Sequence, residues 1–154
     1  MAVAQYVIGL TRQALAAKLA AVPGLAGVTL GSHLEEPTAD FFAELWDPDT
    51  ETSQPQVVVC PAQLGTTDAF KNYVSFTVEV KLYYGYPNFQ DFDNTAIEDL
   101  YYALTVVICK SAGVAGAGNP VAMDPFRFVQ EMHQDPVVAL YAATVHYQAP
   151  IEGA

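Results

Sequence analysis

The residues of this chain best suited to chemistry are its three histidines, His33, His133 and His146. They lie far apart, and none stands four residues from another, the spacing that would put two imidazoles on one helical face for a metal ion. His33 has Glu35 two residues on, but in a stretch that reads as solvated loop, so no metal site is expected. Asp47-Pro48-Asp49-Thr50-Glu51 sets three oxygen donors at alternate positions, like the start of a calcium loop. Such a loop needs a glycine at its sixth position and a bidentate glutamate at its twelfth, where Thr52 and Val58 stand. Gly113, Gly116 and Gly118 follow a helical pattern and precede a strand, the reverse of the order in a dinucleotide-binding turn. Cys60 and Cys109 fall in apolar stretches without a nearby histidine and read as buried free thiols. No Gly-x-Ser-x-Gly is present, and a run of carboxylates is ordinarily a solvated face. A non-enzymatic protein without cofactors is expected.

The elements that hold these residues follow from periodicity. Val3, Val7, Leu10 and Ala14, with Ile8, Leu15, Leu19 and Val22 beside them, keep the spacing of an amphipathic helix over 3–22, with Arg12, Gln13 and Lys18 on the other side. Pro23-Gly24 stops it, and 27–30 reads as a short strand. Residues 31–56 form a long acidic loop with three prolines and a short helix over 38–46 capped by Thr38. A strand follows over 57–60. Over 73–84, Val74, Phe76, Val78, Val80, Leu82 and Tyr84 alternate with mostly polar residues, the pattern of a long half-buried strand. A second helix spans 95–110, with Ile97, Leu100, Tyr101, Leu104, Val107 and Ile108 as its main stripe. Its opposite side carries Tyr102, Val106 and Cys109, so a partner subunit is expected to cover it. A flexible Gly/Ala loop at 111–120 leads to strands over 126–132 and 137–147, the last apolar on both faces. The expected fold is a single α+β domain spanning 1–154, with two helices on a mainly antiparallel, mixed sheet of four to five strands.

Composition narrows the function. Of 154 residues, 17 are acidic and 6 basic, for a net charge of -11, which argues against a surface that grips nucleic acid by neutralising phosphates. The acidity is concentrated: Glu35, Glu36, Asp40, Glu44, Asp47, Asp49 and Glu51 occur with no Lys or Arg between Lys18 and Lys71. The longest nearly unbroken apolar run, 100–109, falls well short of the roughly 20 residues a spanning helix needs, so no membrane association is expected. The first ten residues carry no basic group, and no signal peptide is expected.

This order of elements, with the segments AVPGLAGV, YVSFTVEVKLYYG, AIEDLYYALTVVI and DPVVALYAATVHYQAPI, resembles the tail terminator proteins (tail completion, or head-tail joining) of long-tailed bacteriophages. The resemblance implies a structural virion protein of the tail or neck, made in the host cytoplasm, that assembles as a ring, generally a hexamer. It implies as partners further copies of itself, the tail tube protein and the head connector protein, with DNA passing through the lumen without specific binding. On this reading the seven acidic residues face the lumen or dock a partner, and Tyr102, Val106, Cys109, Tyr141 and Val145 are candidates for the subunit interface. Other phage neck, connector or tail-tube proteins share the pattern. From a different class, a small-molecule-binding or hydrolytic α+β domain would use Tyr83, Tyr84, Tyr86, Phe89 and Phe92 as a pocket rim.

Overall fold

The alternation that starts at Tyr73 builds one long strand, and the rest of the chain is arranged about it. The computed structural model describes residues 7–32, 37–65, 73–87, 94–110, 117–133 and 136–150. In chain order the elements are α1 (Val7–Ala20), β1 (Gly27–Leu30), α2 (Ala39–Ala43), β2 (Trp46–Asp47), β3 (Thr52–Ser53), β4 (Gln56–Val59), β5 (Gln63–Leu64), β6 (Tyr73–Tyr86), α3 (Asn94–Cys109), β7 (Asn119–Met132) and β8 (Val137–Pro150). Six strands form one sheet in the order β1-β4-β6-β8-β7, with β5 pairing with β6 on the same side as β4. β1 and β4 run parallel, and every other pair in this sheet is antiparallel. β2 and β3 form a separate small hairpin. The α+β class is as expected; the sheet is larger, and the short helix expected over 38–46 is confined to Ala39–Ala43.

α1 and α3 cover one face of the sheet. From β6, Phe76, Val78, Val80 and Leu82 point into this layer, and Ala139, Ala143, Val145 and Tyr147 join them from β8. Ile97, Leu100, Leu104 and Ile108 meet them from α3, at the three-and-four spacing of a buried seam. Each such side chain, fully buried, contributes about 1.5–3 kcal/mol. The seam of α1 is displaced from the expected stripe: Thr11, Leu15, Leu19 and Val22 are buried, whereas Leu10 and Ala14 are only half-buried. Buried Thr11 is satisfied twice, donating to the Val7 carbonyl and accepting from the Gly118 amide, each at 2.7 Å. Arg12, expected on the solvent side, instead donates to the carbonyls of Gly31, Val59 and Cys60 at 2.7–3.0 Å and ties α1 to the ends of β1 and β4. Gly24, at φ 95°, takes the left-handed conformation that ends the helical segment.

Among the described residues the other face of the sheet carries no long helix. α2 lies at one end of it, capped as expected by Thr38, whose hydroxyl accepts from the Phe41 amide at 3.1 Å. Leu45, fully buried, packs with Tyr83, Val138 and Leu140, and Phe41 and Phe42 flank this second cluster. The Phe41 and Phe42 rings meet Tyr83 edge-on, with centroids 5.2 and 5.9 Å apart. The segment comes so close that a Cβ on Gly85 would lie 2.6 Å from the Leu45 Cβ and carbonyl oxygen. The two apolar faces of β8 are thus both covered from within the chain, as suits a central strand.

Two expectations need correction at β7. The strand begins at Asn119, so the last residues assigned to the Gly/Ala loop belong to the sheet; 111–116 lie outside the described residues. β7 also runs through Pro125, because it is an edge strand with register shifts between Pro120 and Ala122, Asp124 and Arg127, and Phe128 and Gln130, and proline is tolerated at such bulges.

Candidate functional site

Polar side chains converge on the uncovered part of the helix-free face. Register places Thr77 beside His146, Glu79 beside Thr144 and Lys81 beside Ala142. Thr77, Glu79, Lys81 and Thr144 border a groove of about 330 Å³ whose far wall comes from Gly31, Val58, Cys60 and Gln63. The Lys81 ammonium is 3.8 Å from the Glu79 carboxylate, and the half-buried Cys60 Sγ lies 3.9 Å from the same carboxylate. Burial pushes the Cys60 thiol up, and the Glu79 charge adds to that while Lys81 opposes it. A thiol held protonated in this way is a poor nucleophile. Nearby, His146 Nε2 and Asp124 Oδ2 form an exposed pair at 3.0 Å. Among its described residues the groove therefore offers hydrogen bonds and both signs of charge, and its thiol is not activated. Among the described residues no group of three or more His, Cys, Asp or Glu gathers to hold a metal ion.

The acidic residues divide into an exposed outer side and the apolar underside that anchors them. Asp40, Glu44, Asp49 and Glu51 are exposed, and Asp47 is half-exposed. Glu35 and Glu36 lie outside the described residues. The calcium-like run is the turn of the β2–β3 hairpin: the Asp47 carboxylate accepts from the Asp49 amide at 2.9 Å, and Glu51 takes φ 55°. Hydrogen bonds from Asp49 and Thr50 hold the Asp47 carboxyl below its ordinary range. These groups, on α2 and on the hairpin that follows it, form an acidic ridge at one end of the sheet.

Of the expected interface residues, Tyr102 is 68% exposed, Cys109 is also exposed, and Val106 is half-buried. Cys109 is thus a free thiol at the surface and Cys60 a half-buried one, which corrects the expectation that both are buried. Tyr141 is half-buried between Tyr101 and Phe128, with ring centroids at 5.7 and 5.6 Å. Val145 is fully buried in the subunit's own core, where β8 meets the helical layer. The proposed aromatic rim also separates. Strand alternation sends Tyr83 to the helix-free face and Tyr84 to the helical one, and Tyr86 is buried with its hydroxyl donating to Glu131. Phe89 and Phe92 lie outside the described residues.

Sequence reasoning picked out Tyr102 but missed the other exposed apolar side chains. The most exposed large hydrophobics among the described residues are Leu30, Leu64, Tyr102, Val121, Phe128 and Val129. They are not scattered. Leu30 and Leu64 stand on β1 and β5, along one edge of the sheet; Val121, Phe128 and Val129 stand on β7, the opposite edge, with Tyr102 on α3, which packs against β7. The Val121-Ala122-Met123 triplet was the available signal, obscured by the prolines on either side. Compared with known proteins, the chain matches no family model and no curated protein sequence.

Proposed function

We propose that this protein is a structural virion component of a phage tail, a subunit that assembles into a ring, caps the tail tube and joins it to the head. The observation that carries the reading is the segregation of exposed apolar side chains to the two opposite edges of the sheet. Exposed apolar residues are common singly, but two groups at opposite edges suit a subunit with a neighbour on each side. The acidic ridge is compatible with a lumen through which DNA slides, since a negative wall repels phosphates rather than holding them. Other neck, connector and tail-tube components share these requirements and are separated from this reading by what the ring binds.

Light scattering and native mass measurement, with and without purified tail tubes, test the proposal. A ring of defined size that stays on tube ends and stops their growth is the expected result. A persistent monomer at micromolar concentration that ignores tubes would overturn it. The groove beside Cys60, Glu79 and Lys81 favours a second reading, a module for a small polar ligand. A ligand that raises the thermal midpoint by several degrees in a metabolite screen, with no assembly, would select that reading instead.

A further inference from the structure

We infer that copies of this chain join through two unlike edges, the β7 edge of one subunit receiving the β1/β5 edge of the next. The inference rests on the ring-forming reading and assigns the surfaces that would build it. Shape is the first support. Beside β7 an apolar groove of about 180 Å³ opens between Ile108 and Cys109 of α3 and Pro120, Val121 and Met123 of β7, with buried Val145 also lining it. On the opposite edge Leu64 projects at 68% exposure, with Leu30 also exposed. One edge therefore supplies a protruding aliphatic side chain, and the other supplies an apolar recess for it.

Charge is the second support, and it selects the occupant. Two copies of a chain with net charge -11 repel each other, so they approach most easily where carboxylates are absent or already paired. Residues 27–32 and 60–65 contain no Asp, Glu, Lys or Arg; on β7 the two carboxylates are engaged within the subunit, Asp124 with His146 and Glu131 with the Tyr86 hydroxyl, and Arg127 stands between them. The two edges are thus the parts of an acidic protein suited to meeting a second copy of itself. A basic partner would find its complement on the acidic ridge instead.

The symmetry follows from the unlikeness of the two surfaces. A two-fold dimer needs one self-complementary patch, whereas a projection on one edge and a recess on the other make a head-to-tail contact, the kind that builds a ring when the rotation between neighbours closes. The join is made by side chains rather than by extending the sheet, because the prolines and register shifts of β7 interrupt the outer row of backbone groups a neighbouring strand would need. Both broad faces of the subunit, the helical layer and the acidic ridge, remain free for other partners.

A complementation experiment tests this. Leu30→Glu/Leu64→Glu disables one edge and Val121→Glu/Phe128→Glu the other, all at exposed positions. Circular dichroism establishes that each variant is folded, and the serine versions Leu64→Ser and Val121→Ser repeat the test with milder changes. The expected result is that each variant alone is monomeric, while an equimolar mixture forms a dimer and nothing larger, since one intact edge of each kind remains. If the unmodified protein forms rings and either folded variant still does so alone, or the mixture stays monomeric, the assigned edges are wrong while the ring-forming reading stands. If the unmodified protein is monomeric with and without tail tubes, that reading falls and the inference with it.

Discussion

The two faces of the β6–β8 pair make different uses of the same strands. On the helical side apolar residues continue along the strands, with Phe76, Val78, Val80 and Leu82 from β6 and Ala139, Ala143, Val145 and Tyr147 from β8, all under α1 and α3. On the other side the character changes partway. Val138, Leu140 and Tyr83 are apolar and covered by the α2 segment, whereas Thr77, Glu79, Thr144 and His146 farther along are polar or charged and lie open or half-open. The helical face holds the main core and so sets global stability; the other face holds one small cluster whose job is to seat an acidic ridge. Order in the ridge therefore comes from Phe41, Phe42 and Leu45 on its underside, and its carboxylates are left free to act outward.

Breaking the helical face gives the largest expected effect. Leu104 is fully buried beneath α3, and Leu104→Ala removes its contacts and leaves a cavity, at a cost of about 3 kcal/mol. The loss is read as a lowered midpoint of cooperative urea unfolding, with secondary structure and the ridge lost together. Gly85→Ala acts on the other face. A new Cβ there overlaps Leu45, and relieving the overlap costs about 1–3 kcal/mol. Because the α2 segment can lift away while the helical core stays closed, this variant is expected to become sensitive to proteolysis within 37–55 before the rest of the chain unfolds. Cleavage confined to the same sites and rates as in the unmodified protein would mean that the ridge is not separately seated.

The same contrast explains what was legible in the sequence. β6 was readable because a period of two persisted over a dozen residues, and α3 because its seam repeats at 97, 100, 104 and 108. The Thr38 cap was readable because capping is local chemistry. The β2–β3 hairpin and β5 are two residues long per strand and leave no period to detect. β7 was half-read because bulges shift its register and prolines mimic a boundary. Arg12 looked solvated because its partners are backbone carbonyls at the end of β4 and just past β1 and β4, which no side-chain pattern announces. Val145, an interface candidate by sequence, sits in the subunit's own core, since an apolar strand has the same pattern whether its cover comes from its own chain or from a neighbour.

The subtlest expected difference between the faces is silent at neutral pH and concerns Tyr147 on the helical side and Tyr83 under α2. Burial pushes each phenol up to about 12, from an ordinary value of 10. The folded state thus keeps these protons after the unfolded chain has begun to lose them. The stability they contribute is fully present below pH 10 and is lost as pH rises through about 12. Tyr147 stacks on Phe76 with centroids 5.4 Å apart, inside the main core, so its ionisation should await global unfolding. Tyr83 needs only the α2 segment to lift. Tyrosinate absorbance followed during alkaline titration, compared with Tyr83→Phe and Tyr147→Phe, should lose an early component in the first variant and a cooperative late component in the second. The reverse assignment would mean that the ridge is held as firmly as the helical layer, and the two faces would then act as one cooperative unit.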